Sequence, residues 1–374
     1  MFGKNTQKNK ILKNIKVVMV GPANLGPYHY ARFKEITKLL PNFVYIKINI
    51  KELYRPWQKD TKEEESSYNI IGLYKDKNIS AVLKKEDPDI LFAIGYNNSK
   101  IRRAALWAKR KKIPVVIQTD STYDDQKRNF IKEAVKKILV KYLYDAAFTA
   151  GKRSADYIKS LGMSANMIWR GVDVIDNKHF SKKKSAKQNK KLPSKYFLSV
   201  VRLSKEKNIQ GLVKAFEIYK ENKGKWNLVI AGSGKDEKFL KNMVPKDLKN
   251  NILWYGWASY DELPLLYQKA SCFVLPSTSE PWGLVVNEAM AAGLPVLISH
   301  KCGCVPELCV NNVNGYSFNA NDTAELANLM FKISTDSNLL IKYKRNSLKI
   351  IKEYTTEKMA NTMYHMVKIL TVRQ

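Results

Sequence analysis

The sequence predicts an α/β protein with two doubly wound domains, each built on a parallel sheet. Short β-branched runs alternate with amphipathic stretches of helical length along the chain, which is typical of successive βα units. The length of 374 residues exceeds what one hydrophobic core usually supports, and an apolar fraction of 45% is enough for two cores. Between the halves, residues 181–195 are polar, charged and without apolar periodicity, as expected of a linker.

The sequence of the first half predicts one domain over residues 1–180. The last helix of the chain is a candidate to pack against this domain. Strands are predicted at 15–20, 43–49, 90–94, 114–118 and 146–150. Helices are predicted at 28–40, 79–86, 98–111 and 128–144.

The second half predicts the other domain over residues 196–374. Its strands are predicted at 196–201, 227–231, 252–255, 271–275 and 295–299. Its helices are predicted at 208–222, 236–243, 260–269, 284–292 and 322–334, with more helix towards residue 370. Because ligands bind at the C-terminal ends of the strands in such sheets, we expect the two domains to face each other across a ligand-binding cleft.

The charge of the chain is strongly positive and unevenly distributed. There are 65 Lys and Arg residues against 34 Asp and Glu, a net charge of +31, and residues 1–190 hold 40 of the basic and 18 of the acidic residues. The electrostatic field of such a positive charge attracts anionic membrane surfaces, nucleic acid or phosphorylated substrates, and the charge alone does not indicate which of them is bound. A lysine-rich genome would produce the same bias without a function.

Two further features of the composition predict a cytoplasmic protein. No apolar run approaches the roughly 18–20 residues that span a bilayer, and the N-terminal run "IKVVMVG" is too short for a signal-peptide core. The four cysteines are therefore expected to be reduced thiols. The basic helix predicted at 128–144 either packs its apolar stripe on the sheet or rests on the inner face of an anionic membrane.

Two carboxylates bracket the start of a predicted helix in "STSEPWGLVVNEAMAAGLPV", residues 277–296. Pro281 and Gly283 place the first helical turn near Leu284, and its free amides and positive dipole end form an anion site at the strand's C-terminal edge. Glu280 precedes this helix start. Glu288 lies four residues inside, about 6 Å along the axis, in an apolar setting where a carboxylate needs partners.

A second strand end in the same half supplies cations. In "VVRLSKEKNIQGL", Arg202 closes a predicted strand, Lys207 follows, and Asn208 is placed to cap the next helix. Both strand ends belong to one edge of one sheet. Two cations beside a helix start predict a pocket for a nucleoside diphosphate.

These segments together resemble glycosyltransferase family 4, the retaining nucleotide-sugar transferases of GT-B architecture. The family's E-x7-E element is similar to Glu280 through Glu288, its following turns are similar to "CGCVPELCVNNVNGYSF", and its phosphate-binding Arg and Lys are similar to those of "VRLSKEK". The resemblance implies two Rossmann-like domains and a hexosyltransferase-type reaction that uses no metal and no other cofactor.

The resemblance also implies roles for individual residues. Glu288 would hold the ribose of the donor, Arg202 and Lys207 its diphosphate, and Glu280 a hydroxyl of its sugar. Amides near Trp282, Gly283 and Leu284 would bind the sugar or the phosphate. The acceptor would be a glycan, with a lipid-linked or anionic acceptor motivated by the basic first half.

The first half matches the family pattern less closely. Gly21 and Gly26 bracket the loop "PANL", where glycines would allow a phosphate to approach the backbone closely. Asp120 in "IQTDSTYDD" would either orient a sugar or acceptor hydroxyl or cap the local turn.

Other functions stay open from the sequence alone. A nucleotide-sugar epimerase of the same fold would turn over the donor without an acceptor, and the basic half would suit a nucleic-acid-binding protein, although no recognised nucleic-acid-binding motif is present. The segment "HKCGCVPELC" contains His and Cys residues, but their spacing is not a familiar zinc pattern, so no metal site is predicted.

Overall fold

The structure is a computed structural model that describes residues 14–48, 66–73, 78–126, 128–182 and 192–371. The chain divides into two compact units. Unit 1 comprises Met1–Tyr123, Lys127–Val174 and Thr356–Gln374, and unit 2 comprises Asp124–Gln126 and Ile175–Thr355. Most of the predicted linker, residues 183–191, lies outside the described residues.

Unit 1 contains a parallel sheet whose strand order in the described residues is β3-β2-β1-β4-β5-β6-β7. The strands are β1 Val17–Pro22, β2 Phe43–Ile48, β3 Ile70–Leu73, β4 Ile90–Ile94, β5 Val115–Thr119, β6 Ala146–Thr149 and β7 Ile168–Arg170. The helices are α1 Pro27–Leu39, α2 Ile79–Glu86, α3 Ser99–Arg110, α4 Phe130–Leu143, α5 Lys152–Ser160 and, from the end of the chain, α14 Thr356–Thr371. Helix α14 packs against α1.

Unit 2 contains a second parallel sheet, with the order β10-β9-β8-β11-β12-β13 in the described residues. The strands are β8 Tyr196–Val200, β9 Asn227–Ala231, β10 Ile252–Gly256, β11 Cys272–Leu275, β12 Val296–Ser299 and β13 Gly315–Phe318. The helices are α6 Asn177–Ser181, α7 Ile209–Glu221, α8 Glu237–Asn242, α9 Leu263–Lys269, α10 Leu284–Ala291, α11 Val305–Leu308, α12 Thr323–Thr335 and α13 Ser337–Ile351.

The predicted α/β class with two parallel sheets is confirmed. The central strands are buried on both faces, as their continuous apolar runs require: in β11 and β12 every residue is buried. Among the described residues, no helix combines the length and the apolar character needed to cross a membrane.

The prediction missed the short outer strands β3, β7 and β13. Each has three or four residues and lies at the edge of its sheet, so it is too short to show a clear period. The helix predicted from residue 260 begins instead at Leu263, with Pro264 in its first turn, where proline is tolerated.

Candidate functional site

The strand order of unit 2 defines a crevice at the C-terminal ends of β8 and β11. These strands are neighbours, but α7 leads from β8 to β9 on one side, whereas α10 leads from β11 to β12 on the other. The two loops therefore diverge, and such a switch point is where doubly wound sheets bind ligands. The loops here are 201–208 and 276–283, which carry Arg202, Lys207 and Glu280.

Lys207 and Glu280 form an ion pair at this switch point. The distance from Lys207 Nζ to Glu280 Oε2 is 2.5 Å, and each side chain is only 14% exposed. A pair so shielded from water is screened little by salt. The structure thus brings together the predicted diphosphate-binding cation and the predicted sugar-binding carboxylate.

The loop after β8 is held in place by Asn208. This residue has a left-handed backbone (φ 52°), and its side-chain carbonyl accepts a hydrogen bond from the amide of Gly211, so the predicted helix cap is confirmed. Its amide nitrogen also donates to the carbonyls of Pro276, at 3.2 Å, and Ala320, at 2.8 Å. Asn208 therefore fastens the Lys207 loop to the loop that follows β11.

The Glu280 loop is held by the loop that follows β12. The amide of Gly303 donates to the carbonyl of Glu280 at 2.9 Å, and that of Cys304 donates to the carbonyl of Trp282 at 3.2 Å. Gly283 then turns the chain into α10 with φ 106°, a conformation that favours glycine. A Cβ at Gly283 would lie 3.4 Å from Glu280 Cγ, so the carboxylate stem packs directly beside the helix start.

Helix α10 begins at Leu284, as predicted, directly after the loop that carries Glu280. The helix dipole gives this end a partial positive charge, and in its first turn the amide of Val286 donates to the carbonyl of Gly283 at 2.8 Å. The site thus combines one cation, one carboxylate and one helix start. That combination is suited to a ligand carrying both an anionic group and neutral hydroxyls.

Glu288 lies one turn further into α10 and is completely buried. Its Oε2 atom accepts a hydrogen bond of 2.6 Å from the hydroxyl of Tyr267, which lies in α9 and is also completely buried. Sequence reasoning missed Tyr267 because nothing in its own helix marks it as a partner for a carboxylate in another helix.

Arg202 lies near the ion pair but on the solvent side of the loop. Its side chain is 57% exposed, and its guanidinium lies 3.9 Å from the Glu206 carboxylate. Partial burial raises the pKa of Glu206, but the hydrogen bond from Ser204 and the charges of Lys207 and Arg202 outweigh this effect and hold the pKa below its ordinary value.

Trp282 contributes its backbone, not its ring, to the loop. The ring is buried, and its Nε1 donates a hydrogen bond of 3.0 Å to the side chain of Asn287. Sequence reasoning did not identify Asn287, whose amide oxygen satisfies the buried indole N–H.

The glycine-rich turn at 232–234 has a packing role. A Cβ at Gly232 would lie 1.8 Å from the carbonyl oxygen of Val201, and one at Gly234 would lie 2.2 Å from that of Leu203. The turn after β9 therefore presses its backbone against the start of the Arg202 loop.

The predicted site residues of the first half belong to unit 1. A Cβ at Gly21, in β1, would lie 2.3 Å from the hydroxyl of Tyr45, so the glycine allows close packing there. Gly26 precedes α1, and its amide donates to His29 Nδ1 at 3.1 Å. Asp120 is exposed and immediately follows β5.

The four cysteines are buried and unbridged. Burial raises the pKa of Cys309 to about 12 and that of Cys304 well above its ordinary value, so these thiols are neutral core groups. Within the described ranges, no group of three or more His, Cys, Asp or Glu side chains could hold a metal ion.

We expect Tyr267→Phe to lower the free energy of unfolding by about 1–3 kcal/mol, because it removes the hydroxyl that donates to a completely buried oxygen of Glu288. Tyr196→Phe is the matched control, because the Tyr196 hydroxyl is also buried but donates to the neutral carbonyl of Leu266 at 2.8 Å. Its expected loss is about 0.5–1.5 kcal/mol. Equal losses in chemical denaturation would show that the Tyr267–Glu288 bond is no stronger than a bond to a neutral carbonyl.

Comparison with known proteins gives consistent results. Residues 180–350 match the model of the family "Glycosyl transferases group 1". An uncharacterized glycosyltransferase of Methanocaldococcus jannaschii is 37% identical over an alignment that covers 32% of this chain and 31% of the relative. The alpha-monoglucosyldiacylglycerol synthase of Acholeplasma laidlawii is 26% identical over an alignment that covers 69% of this chain and 70% of the relative. The chain spans between 31% and 47% of the length of three of the curated relatives that it matches.

One solved structure shares the fold over nearly its whole length. The crystal structure of Anabaena HepE in complex with UDP and glucose superposes with a TM-score of 0.74, covering 94% of this chain and 99% of that chain at 15% sequence identity. At this identity the likeness concerns the fold.

Proposed function

We propose that the chain, whose residues 180–350 match the group 1 glycosyltransferase family and whose fold is GT-B, transfers a sugar from a nucleotide-diphosphate-sugar donor to an acceptor with retention of configuration. The observation that carries the proposal is the Lys207–Glu280 ion pair, which lies at the switch point of unit 2 beside the start of α10. A nucleotide sugar has the anionic and hydroxyl groups that this arrangement suits.

We assign the diphosphate to Lys207, Arg202 and the first-turn amides of α10. Breaking the bond between the sugar carbon and the diphosphate oxygen leaves positive charge on the ring and negative charge on the leaving diphosphate. Cations and helix amides fixed at the position of the leaving group stabilise the charge that develops there. Retention is assigned to attack from the leaving-group face, without a protein nucleophile.

Glu280 is assigned to a hydroxyl of the donor sugar. In the structure its carboxylate neutralises Lys207, so donor binding would exchange one ion pair for two new interactions. Lys207 would turn to the diphosphate, and Glu280 would accept a hydrogen bond from the sugar.

Glu288 is assigned to the ribose of the donor. A carboxylate can accept several hydrogen bonds, so the bond from Tyr267 is compatible with a second one from ribose. Because Glu288 is completely buried, contact with ribose would require the start of α10 to open locally.

The donor base and the acceptor are proposed from the relatives. Structures with the same fold contain UDP with glucose or UDP with GlcNAc, so UDP-sugars are the first donors to test. Two relatives are alpha-monoglucosyldiacylglycerol synthases, which supports a lipid-linked acceptor alongside a glycan. Asp120 remains a predicted contact for a sugar or acceptor hydroxyl.

A screen of nucleotide sugars tests this proposal. We expect at least one to raise the melting temperature of the protein and to be slowly hydrolysed, and we expect an acceptor to accelerate its consumption. Change of the sugar's stereochemistry without acceptor would indicate an epimerase. If no nucleotide sugar stabilises the protein, the transferase proposal is wrong.

We expect turnover to persist when a chelator removes divalent cations. In the proposed site the leaving diphosphate is neutralised by Lys207, Arg202 and helix amides, so a metal ion is not needed for this charge. Rates measured with and without EDTA should agree within about twofold, whereas a loss of about 100-fold, of the size caused by removing an essential electrostatic group, would reveal a metal requirement.

A further inference from the structure

Helix α4 of unit 1 exposes its apolar face. Phe130 is 89% exposed, and four other large apolar side chains on the same helix are also exposed: Ile131, Val135, Ile138 and Tyr142. Of the helix, only Val140 and Leu143 are buried. The expectation that the stripe packs on the sheet is therefore wrong for these exposed side chains, whereas Leu139 of the predicted stripe is half-buried against the core. The other sequence-based expectation, contact with an anionic membrane, is the one that suits the exposed face.

The opposite face of α4 is held to unit 1 by a polar cluster. The Tyr157 hydroxyl of α5 donates to Glu133 at 2.8 Å, and Lys136 forms an ion pair with Glu133 at 2.7 Å. Arg128 also donates to Tyr157, at 2.8 Å. Burial raises the pKa of Glu133, but the bonds from Lys136 and Tyr157 and the charge of Arg128 outweigh this effect and lower it overall, so the carboxylate stays ionised.

The two faces lie on opposite sides of the helix. Successive residues turn by about 100° around the axis, so the exposed apolar side chains fall within an arc of about 140°. The residues of the inward face, Glu133, Lys136, Val140 and Leu143, lie across the axis from the middle of that arc. Lys132 and Lys137 border the apolar arc on its two sides, and Lys141 lies just inside it next to Phe130. All three lysines are exposed.

We propose that α4 docks the protein on an anionic lipid surface. Its apolar stripe would enter the boundary between headgroups and acyl chains, with Lys132, Lys137 and Lys141 at the depth of the phosphates, where long basic side chains reach the headgroups. The only acidic residue of the helix, Glu133, faces inward. No like charge on the exposed face would therefore oppose the membrane.

Charge decides between a lipid surface and a protein partner. The cores of protein interfaces are depleted in lysine, whereas lysines flanking an apolar stripe are typical of helices that lie in a membrane interface. The first 190 residues contain 40 basic and 18 acidic residues, and this positive charge adds long-range attraction to an anionic leaflet. This surface does not depend on the proposed sugar transfer.

Vesicle flotation of the full chain tests the proposal. We expect binding to vesicles of phosphatidylcholine with phosphatidylglycerol and little binding to phosphatidylcholine alone. Ile138→Glu should weaken binding at least about tenfold, because it removes apolar area and adds a charge repelled by the lipid. Ile341→Glu is the matched control, since Ile341 lies in unit 2 and both isoleucines are 67% exposed.

Two triple variants test the charge. Lys132→Ala/Lys137→Ala/Lys141→Ala is expected to weaken binding by about a hundredfold, because each lysine near an anionic leaflet contributes roughly fivefold. Its control removes the same charge from exposed positions of unit 2, through Lys238→Ala, Lys246→Ala and Lys249→Ala. The control should keep nearly all of the binding.

Any of three results would overturn the proposal. The unmodified protein does not float with the vesicles, Ile138→Glu floats as well as the unmodified protein, or the two triple variants lose the same share of vesicle binding. If light scattering shows a dimer that Ile138→Glu dissociates without changing vesicle binding, the stripe is a contact between copies of the chain instead. Stabilisation by nucleotide sugars is measured on the same variants and should be unchanged, which separates this proposal from that of sugar transfer.

Discussion

Lys207→Ala is expected to remove the stabilisation of the protein by nucleotide sugars and to lower turnover by about a hundred- to a thousandfold, the usual effect of removing one fixed group that stabilises the charge of the transition state. Removing one partner of a largely buried ion pair costs about 3–5 kcal/mol, and Lys207 is the cation that the proposed site offers to the leaving diphosphate. The variant also leaves the Glu280 carboxylate, only 14% exposed, without its 2.5 Å partner. Melting temperature should therefore fall as well.

Two further variants separate the loss of folding stability from the loss of donor binding. Lys207→Ala/Glu280→Gln removes both charges, so we expect its melting temperature to recover much of the loss while donor-dependent stabilisation stays absent. Lys205→Ala removes an exposed lysine two residues earlier in the same turn and should change neither quantity. Normal turnover in Lys207→Ala would contradict the proposed site, even if the protein were less stable.

Elements with a continuous buried apolar run could be predicted from the sequence. The strands predicted at 90–94 and 227–231 have the same bounds in the structure, as does the helix predicted at 79–86. Edge strands such as β7 could not be predicted, because they are short and partly exposed and their sequences carry neither continuous burial nor clean alternation.

The candidate site was predictable where residues follow strand ends and not where they meet from different helices. Lys207 and Glu280 could be placed together because adjacent parallel strands end at one edge of the sheet. The Tyr267–Glu288 bond could not, because it joins two helices whose relative position depends on the packing of the whole unit.

Helix α4 shows a different limit of sequence reasoning. Its periodicity predicts an apolar face but not the direction in which that face points. The inward face combines the cluster of Glu133, Lys136 and Tyr157 with the buried side chains of Val140 and Leu143. Contacts between distant parts of the sequence, polar and apolar, thus accompany the side of the helix that faces inward.

Gly232→Ala is expected to lower the free energy of unfolding by about 2–6 kcal/mol, the sum of two separate costs. The residue has φ 134°, where side chains other than hydrogen cost about 1–3 kcal/mol. The added Cβ would also meet the Val201 carbonyl oxygen at 1.8 Å, a contact that only a shift of the backbone can relieve. Forcing such overpacking usually costs a further 1–3 kcal/mol or so.

Gly293→Ala isolates the first of these two costs within the same unit. Gly293 also has a left-handed backbone, with φ 80°, but a Cβ there would meet only the flexible side chain of Leu348, at an ordinary 3.4 Å. Its expected loss is about 1–2 kcal/mol. Because Val201 directly precedes Arg202, the shift forced by Gly232→Ala should also displace the Lys207 loop, and donor-dependent stabilisation should fall in this variant but not in Gly293→Ala. Equal stability losses in the two variants would show that the strands near Gly232 relax without strain. Unchanged donor-dependent stabilisation in Gly232→Ala would show that the turn after β9 does not position the site.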